Sequence, residues 1–166
     1  MSRVTGESGG DGRGSRGRTH LILYASLAVS LLLLVLFSMG EVIWPAAPVG
    51  EKHWTETLFF GVCHQIPSRT FQVDGRFMAV NTRCFGIFAA LFVSWLIMPF
   101  VRRFSGEGAW PGVLLLVAVM IQIIDYSGNL MQLWVNTNFS RFWTGALLGG
   151  AVPIYLADLF FPPGRE

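Results

Sequence analysis

The sequence predicts an all-α membrane protein: a four-helix transmembrane bundle, with a short interfacial helix between helices 1 and 2 and a disordered N-terminal tail. Of its 166 residues, 52% are hydrophobic and 13% are charged, whereas soluble domains carry about 25% charged residues. The apolar residues are gathered into four long segments, which is the second observation that predicts the bundle. The net charge of +2 is small and the basic residues are scattered. The lipid bilayer is therefore the expected partner, and nucleic acid is not.

Residues 1–18 are expected to form a disordered cytoplasmic tail, separate from a four-span membrane domain over residues 19–166. The tail contains the stretch "GESGGDGRGSRGR". A segment so rich in Gly and Arg cannot bury a hydrophobic core, and it is therefore predicted to lack regular structure.

Each of the four apolar segments lacks a charge at its centre, where Arg or Asp would cost about 2.5–3.5 kcal/mol on insertion. The segments are Leu21–Gly40, Phe85–Val101, Ala109–Ile124 and Phe142–Ala157. The first is long enough to cross the hydrocarbon core, which is about 30 Å thick, at a rise of about 1.5 Å per residue. Its apolar run exceeds the roughly 7–15 residues of a signal-peptide core, so we expect a retained helix.

The distribution of Arg residues predicts the orientation. Arg residues lie in the N-terminal tail, at Arg102 and Arg103 between the second and third apolar segments, and at Arg165. By the positive-inside rule, these segments and both termini are cytoplasmic in a bacterial inner membrane. The loops over residues 45–84 and 125–141 then share the outer side, so that polar residues far apart in sequence can meet there.

The first polar cluster is "GVCHQIPSRTFQVDGRFMAVNTRCFG". Residues 54–65, which overlap the beginning of this cluster, have apolar positions at helical spacing and are predicted to form the short amphipathic helix. Pro67 is expected to end that helix. His53, which precedes it, is expected to be an interfacial side chain.

Cys63 and Cys84 leave three interpretations open. In an oxidising compartment they could form a disulfide worth roughly 3 kcal/mol. They could instead bind a metal ion, zinc or iron, with His64 as a third ligand and Asp125 or water as the fourth. The third interpretation is catalytic: nearby positive charge would stabilise a Cys63 thiolate, and Cys84 would act as the resolving thiol.

The second polar cluster is "IQIIDYSGNLMQLWVNTNFSRFWTGALLGG". Five polar residues in it are spaced 3, 4, 3 and 4 apart, which predicts a single helical stripe facing protein or water if the helix continues through Gly128. They are Gln122, Asp125, Asn129, Gln132 and Asn136. Arg141 and Thr144 follow at helical spacing. Two interpretations give these residues no functional role. Asp125 and Arg141 could form a structural ion pair, and a solvated loop could contain Asn129, Gln132, Asn136 and Asn138.

The blocks "CHQIPSRTF", "NTRCFGIF" and "NFSRFWTGALLGG", with an Asp-led segment before the last, resemble a family of small bacterial and archaeal integral membrane proteins of unknown function. The resemblance covers roughly residues 58–150. The family's marked positions in this chain are Cys63, His64, Gln65, Pro67, Arg69, Arg83, Cys84, Gly86, Asp125, Arg141, Thr144 and Gly145. Two departures are Asn81, where the family pattern has a further cysteine, and Tyr126, where a glycine is usual. The family's three cysteines and one histidine imply a metal site or a redox trio, of which this chain keeps two cysteines.

The leading hypothesis is a metal-binding or thiol-based site at the extracytoplasmic mouth of the bundle. Cys63, His64 and Cys84 would hold the ion or carry out the thiol chemistry, and Asp125 would orient His64 or act as a base. An anionic small molecule or lipid headgroup is the expected ligand. The residues expected to bind it are Arg69, Arg83, Asn129, Arg141 and Thr144. The alternative is a non-catalytic transporter component or assembly partner with a disulfide-stapled outer loop.

Overall fold

The computed structural model describes residues 11–45, 53–104 and 108–160. Its α-helices are α1 (Asp11–Ser38), α2 (Trp54–Phe59), α3 (Thr82–Phe104), α4 (Trp110–Leu130) and α5 (Asn138–Phe160). Two single-turn 3-10 helices cover Gly40–Val42 and Pro67–Arg69, and strands β1 (Gln72–Val73) and β2 (Arg76–Phe77) form a small antiparallel hairpin. The predicted predominance of helix is therefore confirmed, with this hairpin as an addition that the all-α prediction lacks.

Helix α1 begins earlier than the sequence indicates. It begins at Asp11, so it includes residues 11–18 of the predicted disordered tail, while residues 1–10 of that tail lie outside the described part of the chain. Adding a residue to an existing helix costs far less than nucleating one, so the long apolar helix can extend into a polar segment. The predicted boundary at residue 18 is therefore not where the helix begins.

Three helices in the described residues are long and apolar enough to cross a membrane. They are α1 from Arg18 to Ser38, α3 from Thr82 to Val101, and α4 from Trp110 to Leu130. The predicted fourth span corresponds to α5, which is not one of these three.

The short helix before the Cys63 segment ends at Phe59 rather than at residue 65. The chain makes one further turn, closed by the Cys63 N–H donating to the Phe59 carbonyl at 2.8 Å, and then leaves helical geometry. Gln65 adopts a left-handed conformation (φ 47°), and Ile66, which precedes Pro67, is extended (φ −80°, ψ 119°). A residue before proline is pushed out of the helical region, so the predicted helix end at Pro67 came too late.

Helices α1 and α3 are antiparallel and are joined through side chains at both ends. Toward one end, the rings of Tyr24 and Trp95 stack at 5.3 Å, and the Trp95 indole N–H donates to the Tyr24 carbonyl at 3.1 Å. Toward the other end, Phe37 packs with Phe85 and Phe88 against one buried cluster. The end of α1 thus lies beside the beginning of α3.

Helices α3 and α5 run parallel and pack backbone against backbone. A Cβ atom on Gly145 would collide with the Arg83 carbonyl oxygen, and one on Gly149 would collide with that of Ile87. Further along, Ala157 lies in a buried cluster with Met98. Glycines permit this close approach of membrane helices, and both helices therefore begin at the same rim of the protein.

Helix α4 carries only part of the predicted polar stripe. It ends at Leu130, and Gln132 is left-handed (φ 58°) while the Leu133 N–H donates to the Gly128 carbonyl at 3.0 Å. Such a left-handed residue terminates a helix. The single stripe through Asn136 is therefore wrong: Gln122, Asp125 and Asn129 are helical, and Asn136 lies on the loop that follows.

The loop after α2 is attached to the end of α1. The Ala79 N–H donates to the Ser38 carbonyl at 3.0 Å, and Gly40 has a positive φ of 55° directly beside the Ala79 backbone. Residues Phe59, Cys63, Ala79 and Val80 form the buried cluster beneath this loop. The Cys63 segment is thereby fixed to the rim at which α1 ends and α3 begins.

Candidate functional site

The thiol of Cys63 is held by neighbouring donors at the N-terminus of α3. Its side chain is 3% exposed. The sulfur accepts the backbone N–H of Asn81 at 3.2 Å, and the N–H of Gln65 and the thiol of Cys84 lie close enough to stabilise its negative charge. Gln65 directly follows Cys63 and His64 in the sequence and has a left-handed conformation. Three donors around one sulfur favour a thiolate.

The hydrogen bond from Cys84 is the largest cause that lowers the pKa of Cys63, from 9.0 to about 6. Burial opposes this shift, while the N–H groups of Asn81 and Gln65 and the charge of His64 add to it. A lowered pKa increases the fraction of Cys63 present as the nucleophilic thiolate. Both cysteines are free, so the arrangement is a dithiol.

Cys63 lies on the wall of a cavity of about 520 Å³. His64 and Glu56 also line it, and both Phe60 and Val62 contribute apolar surface. Phe60 and Val62 are 72% and 69% exposed. The cavity thus combines a thiol, an imidazole and a carboxyl group with large apolar side chains at the surface, and it is open to ligands carrying apolar groups.

Asn81 holds the loop with its side chain. Its Oδ1 accepts the Ile66 N–H at 2.9 Å and the Thr70 hydroxyl at 3.1 Å. Its backbone N–H meanwhile binds the Cys63 sulfur. Asn81 therefore supplies contacts that position Cys63.

Asp125 joins α4 to α3 and to the loop before α5. One carboxylate oxygen, Oδ2, accepts both from the Arg83 guanidinium and from the Asn136 amide, the latter at 2.8 Å. The Arg83 and Asp125 side chains are 19% and 14% exposed. The structural ion pair proposed for Asp125 and Arg141 is thus formed instead with Arg83, whose side chain extends from α3 to the carboxylate on α4. Nor does Asp125 hydrogen-bond to His64 within the described residues.

Asn138 connects the segments that carry the other two predicted arginines. Its Nδ2 donates to the Thr70 carbonyl at 3.4 Å, beside Arg69. Its Oδ1 accepts from Arg141 at 3.3 Å. Arg69, Arg83 and Asp125 are all close enough to act electrostatically on Arg141. Arg69, Arg83 and Arg141 are therefore brought together, as an anion-binding site requires.

Two predicted ligand-binding residues make contacts within their own segments. The Asn129 amide donates to the Trp134 carbonyl at 3.2 Å, and the Thr144 hydroxyl donates to the Arg141 carbonyl at 3.1 Å. These bonds stabilise the end of α4 and the first turns of α5.

The proposed metal-ligand set does not form a group in this structure. Among the described residues, no three His, Cys, Asp or Glu side chains are gathered so that they could hold a metal ion. His64 is exposed at the surface, whereas Cys63 and Cys84 face the buried cluster. Side chains of adjacent residues diverge, and Cys63 and His64 do so here.

Sequence reasoning missed Asn138 and Gln65 as positioning residues. Asn138 was expected to be a solvated loop residue, yet it binds both Thr70 and Arg141. The sequence does contain a signal for the position of Asn138. It directly follows Thr137, a residue type that caps helices, and the Thr137 hydroxyl accepts the Ser140 N–H at 3.1 Å. His53 was expected at an interface but is 1% exposed, and its ring caps α2.

Comparison with known proteins covers the region that contains both polar clusters. The family model described as "Predicted membrane protein (DUF2085)" matches residues 63–155, more than half of the chain. The uncharacterized protein MJ1492 of Methanocaldococcus jannaschii is 35% identical over 103 residues, which are 60% of this chain and 64% of that protein. The alignment thus spans less than two thirds of this relative's length. No solved structure matches the chain. The chain belongs to the DUF2085 family, a family of membrane proteins of unknown function.

Proposed function

We propose that this protein carries out thiol–disulfide exchange at the membrane surface, with Cys63 as the attacking thiolate and Cys84 as the resolving thiol. The observation that carries the proposal is the Cys63 sulfur on the wall of a cavity, where it accepts the Asn81 N–H at 3.2 Å beside the Cys84 thiol. A low-pKa thiol next to a second thiol is the arrangement that such exchange requires.

The reaction balances with a disulfide as substrate. The Cys63 thiolate attacks one sulfur of the substrate disulfide, whose S–S bond breaks and whose other sulfur leaves as a thiolate. Cys84 then attacks the Cys63 sulfur of the mixed disulfide, and its proton passes to the departing substrate sulfur. The two protein thiols are oxidised to a disulfide, and the substrate disulfide is reduced to one thiol and one thiolate. A dithiol partner reverses the same steps.

Surrounding residues have supporting roles in this proposal. His64 lies close enough to act electrostatically on Cys63, and the exposed Phe60 and Val62 offer apolar contacts to an incoming substrate. Asp125 acts at a distance, by fixing Arg83 in the turn of α3 that also contains Cys84.

The test is a redox titration of the full chain in detergent. In glutathione buffers, wild-type protein should convert between two free thiols and one intramolecular disulfide in a single two-electron transition. A Cys84→Ala variant should instead accumulate a glutathione adduct on Cys63, seen by intact-protein mass spectrometry. The matched control is Cys63→Ala, in which Cys84 should remain largely unmodified. An unmodified Cys63 in Cys84→Ala across all buffers would refute exchange chemistry.

A second candidate is a non-catalytic staple, favoured by the burial of Cys63. The thiol packs with Phe59, Ala79 and Val80 and is 3% exposed. A permanent disulfide there would tie the loop to α3 and stabilise the fold by roughly 3 kcal/mol. This function predicts a disulfide that glutathione does not reduce in the folded protein, whereas exchange predicts ready reduction.

The proposal also includes four spans and an outward-facing site. Helix α5 has 23 residues and would be about 35 Å long at 1.5 Å per residue. Its contacts with α3 extend from Gly145 to Ala157, which supports a path beside α3 through the bilayer. With the termini in the cytoplasm of a bacterial inner membrane, the dithiol would face the oxidising side.

A further inference from the structure

We propose that Arg69, Arg83 and Arg141 form a binding site for a phosphate-bearing anion, separate from the dithiol. The site lies at the rim where α3 and α5 begin. This inference does not depend on thiol–disulfide exchange, because it rests on a different set of side chains.

The first argument is convergence from three separate segments. Arg69 ends the 3-10 helix Pro67–Arg69, Arg83 lies in the first turn of α3, and Arg141 lies in the first turn of α5. Asn138 binds the carbonyl next to Arg69 and also binds Arg141. The backbone of Arg83 lies against Gly145, one turn beyond Arg141.

The second argument is the charge balance. Asp125 is paired with Arg83, and in the described part of the chain neither Arg69 nor Arg141 forms an ion pair. Three guanidinium groups and one carboxylate leave the cluster with a local charge of +2. Like charges gathered at a partly buried rim repel one another unless an anion compensates them.

The third argument is the supply of unused donors. The Nε of Arg83 is buried and has no hydrogen-bond partner. Guanidinium groups bind phosphate through paired N–H donors. These features suit a phosphate group better than a neutral ligand.

Two sources share this chemistry: a free phosphate compound and the headgroup of an anionic phospholipid. The first probe is inorganic phosphate, titrated by calorimetry into the full chain in phosphate-free detergent. The second is native mass spectrometry of protein extracted from vesicles of phosphatidylcholine with or without phosphatidylglycerol.

The variant is the double change R69Q/R141Q, which leaves the Arg83–Asp125 pair intact. The matched control is Arg76→Gln, because Arg76 is an exposed arginine on β2 outside the cluster. We expect the double variant to bind the anion at least about tenfold more weakly, since two charge-assisted donors are lost. The control should bind like wild type. If R69Q/R141Q does not fold, Arg69→Gln alone tests the same point at an exposed position.

The outcomes separate the sources and the proposals. Weaker phosphate binding in the variant supports a site for free phosphate compounds, and loss of retained phosphatidylglycerol alone supports a headgroup site. Equal binding by the variant and the Arg76→Gln control, or no binding of either probe by wild type, overturns the proposal. Cys63→Ala should bind the anion like wild type, so failure of the thiol chemistry would leave this result unchanged.

Discussion

Cys63 and Cys84 differ in their surroundings. The Cys63 sulfur accepts the N–H of Asn81, and the Cys84 thiol lies close enough to stabilise negative charge on it. These donors favour the thiolate form of Cys63. A single-residue change in the pair should therefore be measurable as a change in thiol titration.

Replacing Cys84 by Ala should raise the pKa of Cys63 from about 6 toward 9.0, because the largest stabilising hydrogen bond is lost. Only the thiolate is alkylated, so the rate falls as pH drops below the pKa. The rate of iodoacetamide modification, measured against pH by peptide mass spectrometry, should show its midpoint shift upward. The control is His64→Ala, whose smaller charge contribution predicts a smaller upward shift. A midpoint unchanged by Cys84→Ala would show that the Cys84 contact does not set the pKa.

The sequence predicted which residues meet here better than it predicted how they meet. The adjacency of Cys63 to His64 and the recurrence of Cys84 were sufficient to single out a thiol pair. The role of Asn81 was not predictable, because it depends on a loop that returns Ile66 and Thr70 to the beginning of α3. Hydrogen bonds between distant loop segments leave no periodic pattern in a sequence.

Among the elements, α3 and α5 pack most closely, through glycines that face backbone rather than side chains. Gly149 faces the Ile87 carbonyl, whereas a Cβ on its neighbour Gly150 would meet the Ser94 hydroxyl at 3.3 Å. A backbone carbonyl in a membrane helix cannot move aside without loss of a hydrogen bond, but a serine side chain can rotate. Two consecutive glycines therefore differ in what they tolerate.

Gly149→Ala should destabilise the protein by about 1–3 kcal/mol, as expected for overpacking. Gly150→Ala should have a clearly smaller effect and is the matched control, since it lies in the same helix and adds the same methyl group. Thermal unfolding in detergent, followed by circular dichroism, measures the difference. Equal melting temperatures for the two variants would mean that α3 and α5 are not in backbone contact at Gly149.

Helix existence followed from composition, whereas helix ends followed from local geometry. Apolar runs predicted α1, α3, α4 and α5 because lipid requires long uninterrupted helices. The end of α4 was missed because polar spacing continued past Leu130, although the backbone reverses at the left-handed Gln132. Asn136 still reaches Asp125, by a loop rather than along a helix.

At the level of the whole molecule, one rim collects the polar contacts between segments. Arg83 pairs with Asp125 across α3 and α4, Asn138 binds Thr70, and Ala79 binds Ser38. The predicted meeting of the two polar clusters depends on helices that alternate in direction. Helix α1 is antiparallel to α3, and α3 is parallel to α5, as expected for helices that alternate in direction along the chain.

The proposed four-span topology makes a direct prediction about access from each side of the membrane. In a chain with both native cysteines replaced by Ala, single cysteines at Asp74 and Val135 should react with a membrane-impermeant maleimide in intact cells. Both positions are exposed, and both lie in loops on the side of the protein that contains the dithiol. A cysteine at Gly108, which lies before α4 and at the opposite ends of the helices, should react only after the cells are opened. A reporter fused to the C-terminus should share the side of Gly108 if α5 crosses the bilayer. If the reporter appears on the side of Val135, α5 does not cross the bilayer and the chain has three spans. If the cysteine at Gly108 is labelled in intact cells, the orientation is the opposite one. The thiols would then lie in the reducing cytoplasm, where disulfides rarely persist.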